Sequence, residues 1–474
     1  MERMALCELA RTIFKQALES CSVEQAFKQK MKVVTAMDGA KTLLFADNVV
    51  DLARVQHVRI VAIGKAAQSM LEALLPRLPL PAQCDLAGVL ISPLPPKQLP
   101  RGFEFFAGGH PVPDEASFAG ARAVLAMLRA LPKSASSATD TLCLFLISGG
   151  ASAMMELPLD TAISLADTRA FHRALVHSGA SIAEMNCVRK HFSAVKGGRL
   201  ATAARGAACL SLLISDVPPG HLDVISSGPS LPDHSTVDEC REIILRYNLL
   251  ERFPEPVRKF FASPELDETP KSKDLTGQCW TLLDSDDLAQ AASREAERLG
   301  FHAVIDNTCD DWEYRAAADY LLGRLRALRR EFPRVCLISA GELAVPMPDS
   351  HTGIGGRNQH FALYAATALE VSDRSIAILS AGSDGVDGNS RAAGAVVDEQ
   401  TLRNKKTGNP VTDRTTENES LRAQAEVALR QYGSSTFLES RGATIMTGPT
   451  GNNLRDLRIL LAEQPSRPEQ ELAK

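Results

Sequence analysis

Six short apolar runs punctuate the chain, and each breaks into glycine and small polar residues: VRIVAIGKAA (58–67), LCLFLISGGASA (142–153), LSLLISDVPPG (210–220), VCLISAGE (335–342), IAILSAGSDGVDG (376–388) and ATIMTGPTGNN (443–453). Runs of this length, rich in β-branched side chains and closed by glycine, predict strands buried on both faces. Helical periodicity fills the intervals, over residues 65–77, 116–131, 164–206, 286–299, 312–330 and 358–370. The alternation predicts an α/β fold, in which ligands sit beyond the carboxyl ends of the strands. Two amphipathic helical segments, 3–30 and 31–55, are expected ahead of the first strand, and ATIMTG is expected to be the last strand. The polar segment ASPELDETPKSKDLTGQ (262–278) has no apolar period and is expected to link two domains, 1–262 and 275–474. The second would open on CWTLLDS, helix 286–299 and HAVID (302–306). The polar stretch 403–420 and the tail from Ser466 are expected to lie outside the core.

With 474 residues the chain exceeds the size at which one core stops growing, which supports two domains. Hydrophobic residues at 45% and charged residues at 23% are those of a globular protein. A net charge of −5 argues against a broad nucleic-acid footprint. No apolar stretch approaches the roughly 18 residues of a membrane span, and the first residues lack a secretory pattern, so the cytoplasm is the expected compartment. The ten cysteines form no C-x-x-C pair, no Cys/His spacing suits zinc, and buried reduced thiols are expected.

Glycine loops at strand ends let backbone N–H groups approach an anion. No G-x-x-x-x-G-K-[ST] is present and no G-x-G-x-x-G follows a strand, which counts against P-loop and dinucleotide mechanisms. Lys65 follows a strand-ending glycine at a helix start, where its charge opposes the helix dipole unless an anion intervenes; an anion site and a solvated lysine both remain open. Ser148, Gly149 and Gly150 suit a phosphate cradle or a tight turn. Arg189, Ser193 and Lys196 have helical spacing, which by itself favours a solvated face over a stripe that guides an anion. Arg357, behind Gly355 and Gly356 and before Asn358, could grip a carboxylate or phosphate with two N–H groups. Asp216, Asp384, Asp387 and Glu342 are strand-end carboxylates, suited to Mg²⁺ or, for the Asp-Gly pairs, to Asx turns.

In order, the segments IGKAA (63–67), GGHPVPDEAS (108–117), SGGASA (148–153), EMNCVRKHFSAVKGGRLA (184–201), LLISDV (212–217), SSGPS (226–230), GGRNQ (355–359), SAGSDGVDG (380–388), AAGAVVD (392–398) and TGPTGNN (447–453) resemble the glycerate 2-kinase family, whose C-terminal part is the MOFRL domain. The resemblance implies a Rossmann-like N-terminal domain, a smaller C-terminal α/β domain and an active-site cleft between them. It implies ATP-dependent, Mg²⁺-assisted phosphorylation of D-glycerate to 2-phosphoglycerate, with small molecules as partners and no nucleic acid or membrane. Homo-oligomerisation and nucleotide preference stay open. Lys65 and Arg357 match the family's central lysine and arginine. Ser148, Gly149, Gly150, Arg189, Lys196, Gly355, Gly356 and Asn358 are then expected around substrate and phosphate, and Asp216, Asp384 and Asp387 at the metal. Departures stand at Gly220, where the family has an acidic residue nearby, at His360 in place of Glu, and near Arg391. The Gly-Glu-Thr-Thr pattern also becomes Gly341-Glu342-Leu343-Ala344. The rivals are a hydroxypyruvate reductase and a relative that binds ligand without turnover.

Overall fold

Residues 31–55, expected to be helical, form an antiparallel meander instead: β1 (Met31–Thr35), β2 (Lys41–Phe45) and β3 (Asn48–Asp51). Its runs of Val, Thr and Leu favour a pleated surface over a helix, and Leu43 and Phe45 alternate inward along β2. The computed structural model describes residues 5–464 apart from 38–40, 46–47, 82, 132–139, 219–221, 349–351, 371 and 404–413. Much of the polar stretch 403–420, and the tail from Ser466, therefore lie outside the described residues.

The strands that follow are β4 (His57–Ile63), β5 (Asp85–Ile91), β6 (Phe103–Phe106), β7 (Thr141–Ile147), β8 (Ala208–Ile214) and β9 (Gln278–Leu283). They form one parallel sheet in the order β6-β5-β4-β7-β8-β9. This is the doubly wound order in which the winding reverses between the first and fourth strands, here β4 and β7. These two run in register from His57 beside Thr141 to Ile63 beside Ile147, so their exit loops are neighbours. Val61, Ile63, Phe145 and Ile147 pack with the helix Glu115–Arg129, capped by Asp114, and with Val195 and Leu200.

CWTLL does not open a second domain. It forms β9 at the edge of this sheet, parallel to β8. The segment 262–278 is tied down beside it: Thr269 is buried, its Oγ1 donates to Asp233 Oδ2 at 2.9 Å, and Asp233 N donates to Pro270 O. The chain divides into compact units later, after Leu283, as Val23–Leu283 and as Met1–Ser22 with Asp284–Lys474.

In this split unit the strands are β10 (His302–Ile305), β11 (Arg334–Gly341), β12 (Ile376–Gly382), β13 (Gly394–Asp398), β14 (Thr444–Ile445) and β15 (Asp456–Glu463). Their order is β10-β11-β15-β12-β13-β14, and only β10 and β11 are parallel. ATIMTG supplies only the two-residue edge strand β14. The true last strand, β15, is central and buried along its length. Asp456 and Arg458 inside it broke the apolar pattern that marks the other strands. Helices Tyr314–Glu331 and Arg357–Ala368 pack in one core with β11, β12 and β15. The N-terminal helix Leu6–Ser20, with Leu9, Ala10, Ile13, Phe14 and Ala17 buried, packs on the helix Ser285–Arg298 and on β12, β13 and β15. Among the described residues, no helix is long and apolar enough to cross a membrane.

Candidate functional site

In the 23–283 unit the site forms at the β4/β7 reversal. Gly64 has φ +115°, and a Cβ there would lie 2.5 Å from Ser148 O, so only glycine lets the two exit loops touch. Lys65 N donates to Gly149 O at 3.0 Å and Ala66 N to Ser148 Oγ at 3.0 Å. Ser148 is thereby buried as the tie between the loops, not presented to a phosphate. Beyond it, the Gly149 and Gly150 N–H groups have no acceptor among the described residues. The Asp216 carboxylate lies over Gly149, where a Cβ would meet its Oδ2 at 2.2 Å, and the His110 ring lies over Gly150. Lys65 is exposed, with no ion-pair partner among the described residues. Burial, and then the Lys65 charge, lower the pKa of His110 and keep its imidazole neutral.

A cavity of about 500 Å³ opens from this reversal, lined by His110, Gly150, Ser152, Arg169, His172 and Arg189 among others. The expected basic stripe divides here because its helix, Ile182–Phe192, stops before Ser193. Arg189 reaches the cavity, and its buried Nε has no hydrogen-bond partner among the described residues. Lys196 does not: it is 1% exposed and its Nζ donates to Glu156 Oε2 at 2.5 Å. Ser193 Oγ donates to Glu156 Oε1 at 2.5 Å, and His172 Nε2 lies 2.9 Å from Oε2. Burial works to raise the Glu156 pKa, but Lys196 and His172 hold it down at about 2.

In the split unit, a cavity of about 650 Å³ is lined by Gly355, Gly356, Arg357, His360, Asp384, Asp387 and Tyr432, with Leu343 and Met347. Arg357 begins the helix Arg357–Ala368, and its Nε and Nη2 both donate to Asp456, the latter at 3.2 Å. Nη2 also lies 2.8 Å from Glu342 Oε1. Burial opposes the charge on Arg357, but Asp456 and Glu342 outweigh it and raise its pKa. The guanidinium is still 37% exposed, so it arrives at the cavity aimed and partly neutralised. Asp387 is not an open ligand. Its Oδ1 accepts from Asn358 N at 3.0 Å and its Oδ2 from Gln359 N at 2.8 Å, which caps the helix. Asn358 is buried, its amide bonded to Asp387 and Ser380. Gly355 N is taken by Asn389 Oδ1, and a Cβ on Gly356 would meet Asp387 Oδ1 at 2.2 Å. Asp384 uses Oδ1 in an Asx turn to Val386 N at 3.0 Å and faces the cavity. His360 is a wall residue, bonded to Ser434 Oγ at 2.9 Å and stacked with Tyr432. Arg391 is exposed, and Gly220 lies outside the described residues.

Two contributors escaped the sequence reading. Glu156 sits in an unremarkable MELP segment, and Asp456 is 99 residues from the arginine it orients. A carboxylate at the head of an apolar run, as in DLRILLAE, was the available signal for Asp456.

Residues 9–262 match the family described as a domain of unknown function, DUF4147, and residues 335–456 match the MOFRL family. A D-glycerate 2-kinase of Thermotoga maritima is 34% identical over 468 residues, covering 96% of this chain and 98% of that protein. The chain belongs to the glycerate 2-kinase family. A crystal structure of glycerate kinase from Thermotoga maritima, 32% identical, superposes with a TM-score of 0.78 over 96% of this chain and 99% of that one. The family also includes an Agrobacterium vitis protein with the provisional name hydroxypyruvate reductase, 33% identical over 85% of this chain and 86% of that one. The glycerate 2-kinase family's two matched segments do not coincide with the compact units here. The first begins inside the helix Leu6–Ser20, which packs on the split unit.

Proposed function

We propose that this chain is an ATP-dependent D-glycerate 2-kinase. The glycerate C2 hydroxyl oxygen forms a bond to the γ-phosphorus of ATP, the bond from that phosphorus to the ADP oxygen breaks, and the hydroxyl proton passes to a carboxylate. One observation carries the reading: 34% identity to a D-glycerate 2-kinase along essentially the full length of both proteins. The local chemistry agrees with it. Phosphoryl transfer needs cations and fixed dipoles around the moving group. Lys65 and the N–H groups of Gly149 and Gly150 offer both at the β4/β7 reversal, and Arg189 adds a cation in the cavity that Gly150 also lines. Arg357, aimed by Asp456 and Glu342, serves the phosphoryl or the glycerate carboxylate.

The hard carboxylate oxygens of Asp216, over Gly149 in the 23–283 unit, or of Asp384, at the cavity of the split unit, would suit Mg²⁺. Bound there, it would offset the triphosphate charge. Asp387 does not fit that role, because backbone N–H groups occupy both its oxygens. Whichever of Asp216 and Asp384 does not hold the metal is the candidate proton acceptor. The cytoplasm suits a chain in which none of the ten cysteines is in a disulfide.

A coupled assay of ADP release tests the reading. D-glycerate with ATP should give turnover, and hydroxypyruvate with NADH should give none. The reverse outcome would favour the reductase reading; β4 is followed by Gly64-Lys65-Ala66-Ala67, with no dinucleotide fingerprint to support it. Ligand binding without ADP release would mean a non-catalytic relative.

A further inference from the structure

Beneath the helices of the 23–283 unit, on the opposite side of the helix Ile182–Phe192 from any role in the proposed reaction, three donor side chains converge. Cys187 and His191 lie one turn apart on that helix, and Cys240 faces them from the helix Val237–Arg246. One donor atom of each lies within 4.8 Å of the other two, and all three residues are buried. The sequence hid this cluster because Cys187-x-x-x-His191 is separated from Cys240 by 48 residues of other structure.

We propose that Cys187, His191 and Cys240 form a binding site for a thiophilic divalent cation of the Zn²⁺ class, which joins these two helices. Two thiolates and an imidazole are a donor set that selects such ions over Mg²⁺. The ring orientation is already fixed for it. Glu268 Oε1 holds Nε2 at 3.1 Å, which leaves Nδ1, 2.9 Å from Cys187 O, on the cysteine side. A carboxylate behind a ligating histidine is the arrangement that sets the ring's tautomer and basicity in metal sites. Lys271 Nζ, 3.3 Å from Glu268, anchors that carboxylate in turn.

The charge also balances. The surroundings are apolar, with Phe171, Phe192, Phe253 and Phe261 in the same cluster as both cysteines. A lone thiolate is costly there. A dication with two thiolates and a neutral imidazole carries no net charge; binding releases the two thiol protons to solvent and replaces the contact of Nδ1 with Cys187 O. The Cys143–Cys209 pair, on adjacent strands, has no such histidine and serves as the control.

The test uses the full-length chain under reducing conditions, with Zn²⁺ and Co²⁺ as probes. Elemental analysis should find one equivalent of zinc retained through gel filtration. Co²⁺ loading should give an intense thiolate-to-cobalt charge-transfer band. Zinc should protect Cys187 and Cys240 from alkylation, read by mass spectrometry, while Cys143 and Cys209 alkylate on unfolding at the same rate with or without it. Cys187→Ser and Cys240→Ser should abolish the band. Glu268→Gln should weaken zinc binding by about 10- to 100-fold with the fold intact. Should the serine variants fail to fold, the protection experiment on the native chain still decides. Absence of stoichiometric zinc and of the cobalt band in folded protein, or a Cys187–Cys240 disulfide as the native state, would overturn the proposal.

Discussion

Inside the 23–283 unit the Glu156 carboxylate is fully buried and engaged by Lys196, Ser193 and His172. Removing one partner of such a pair leaves an uncompensated charge in the core, so Lys196→Met should destabilise the protein by about 3–5 kcal/mol in urea denaturation. The double variant with Glu156→Gln should recover much of that loss. Because the Glu156 pKa falls from 4.5 to about 2 on folding, its contribution is present above pH 4.5 and lost as the pH falls towards 2. Lys65 behaves differently, since it meets solvent, whereas Arg357 meets solvent only in part and is paired with the buried Asp456. Lys65→Ala should leave the urea midpoint nearly unchanged, Arg357→Ala should lower it because it strands the buried Asp456 carboxylate, and each should lower kcat/KM by about a hundredfold or more. A variant of either residue with full turnover would remove it from the proposed machinery. The glycine loops made Lys65 and Arg357 legible in the sequence, because glycine beside a cation is a local pattern. Glu156 and Asp456 were not legible. A partner far along the chain leaves no mark on the segment it completes.

At the scale of elements, Asp387 shows how a candidate ligand becomes a cap. It stands in a turn after β12, where Gly385 and Gly388 take positive φ, and its oxygens meet the first N–H groups of the helix that carries Arg357. Burial, opposed by those N–H groups and reinforced by Asp456, raises its pKa from 3.8 to about 6. A carboxyl raised on folding favours the native state below its unfolded pKa, and that advantage is lost as the pH rises through about 6. Urea midpoints of the wild type should therefore slope downward between pH 4 and 6, and Asp387→Asn should flatten that slope; an unchanged slope would show that another group titrates there. The parallel strands were legible because continuous apolar runs closed by glycine have few other readings. The meander β1–β3 was misread because short runs of Val and Leu fit either period. Strand β15 was missed because two charged residues lie inside it, each held by partners the sequence does not name: Asp456 by Arg357, and Arg458 beside Ser339.

For the whole molecule, the two-domain reading holds in kind, but the first helix is assigned by packing and not by its place in the chain. Leu6–Ser20 precedes the 23–283 unit in sequence yet packs, with Leu9, Ile13 and Phe14 buried, on the helix Ser285–Arg298 and the sheet of the split unit. Nothing local could reveal this, since an amphipathic helix states only that one face is covered. Burying each of those three side chains stabilises by roughly 1.5–3 kcal/mol, which together is a large part of the 5–15 kcal/mol typical of a domain. Cys7 Sγ and Arg11 Nη1 add contacts to Asp398 and to Thr444 O. A chain lacking residues 1–22 should therefore lose amide protection in β12 and β15, measured by hydrogen exchange, while β4 and β7 keep theirs. The alternative, in which this helix belongs energetically to the unit that follows it, predicts the opposite: protection would fall first in β4 and β7. Adding the 1–22 peptide in trans should restore the amides of β12 and β15, because the apolar face it covers is otherwise complete.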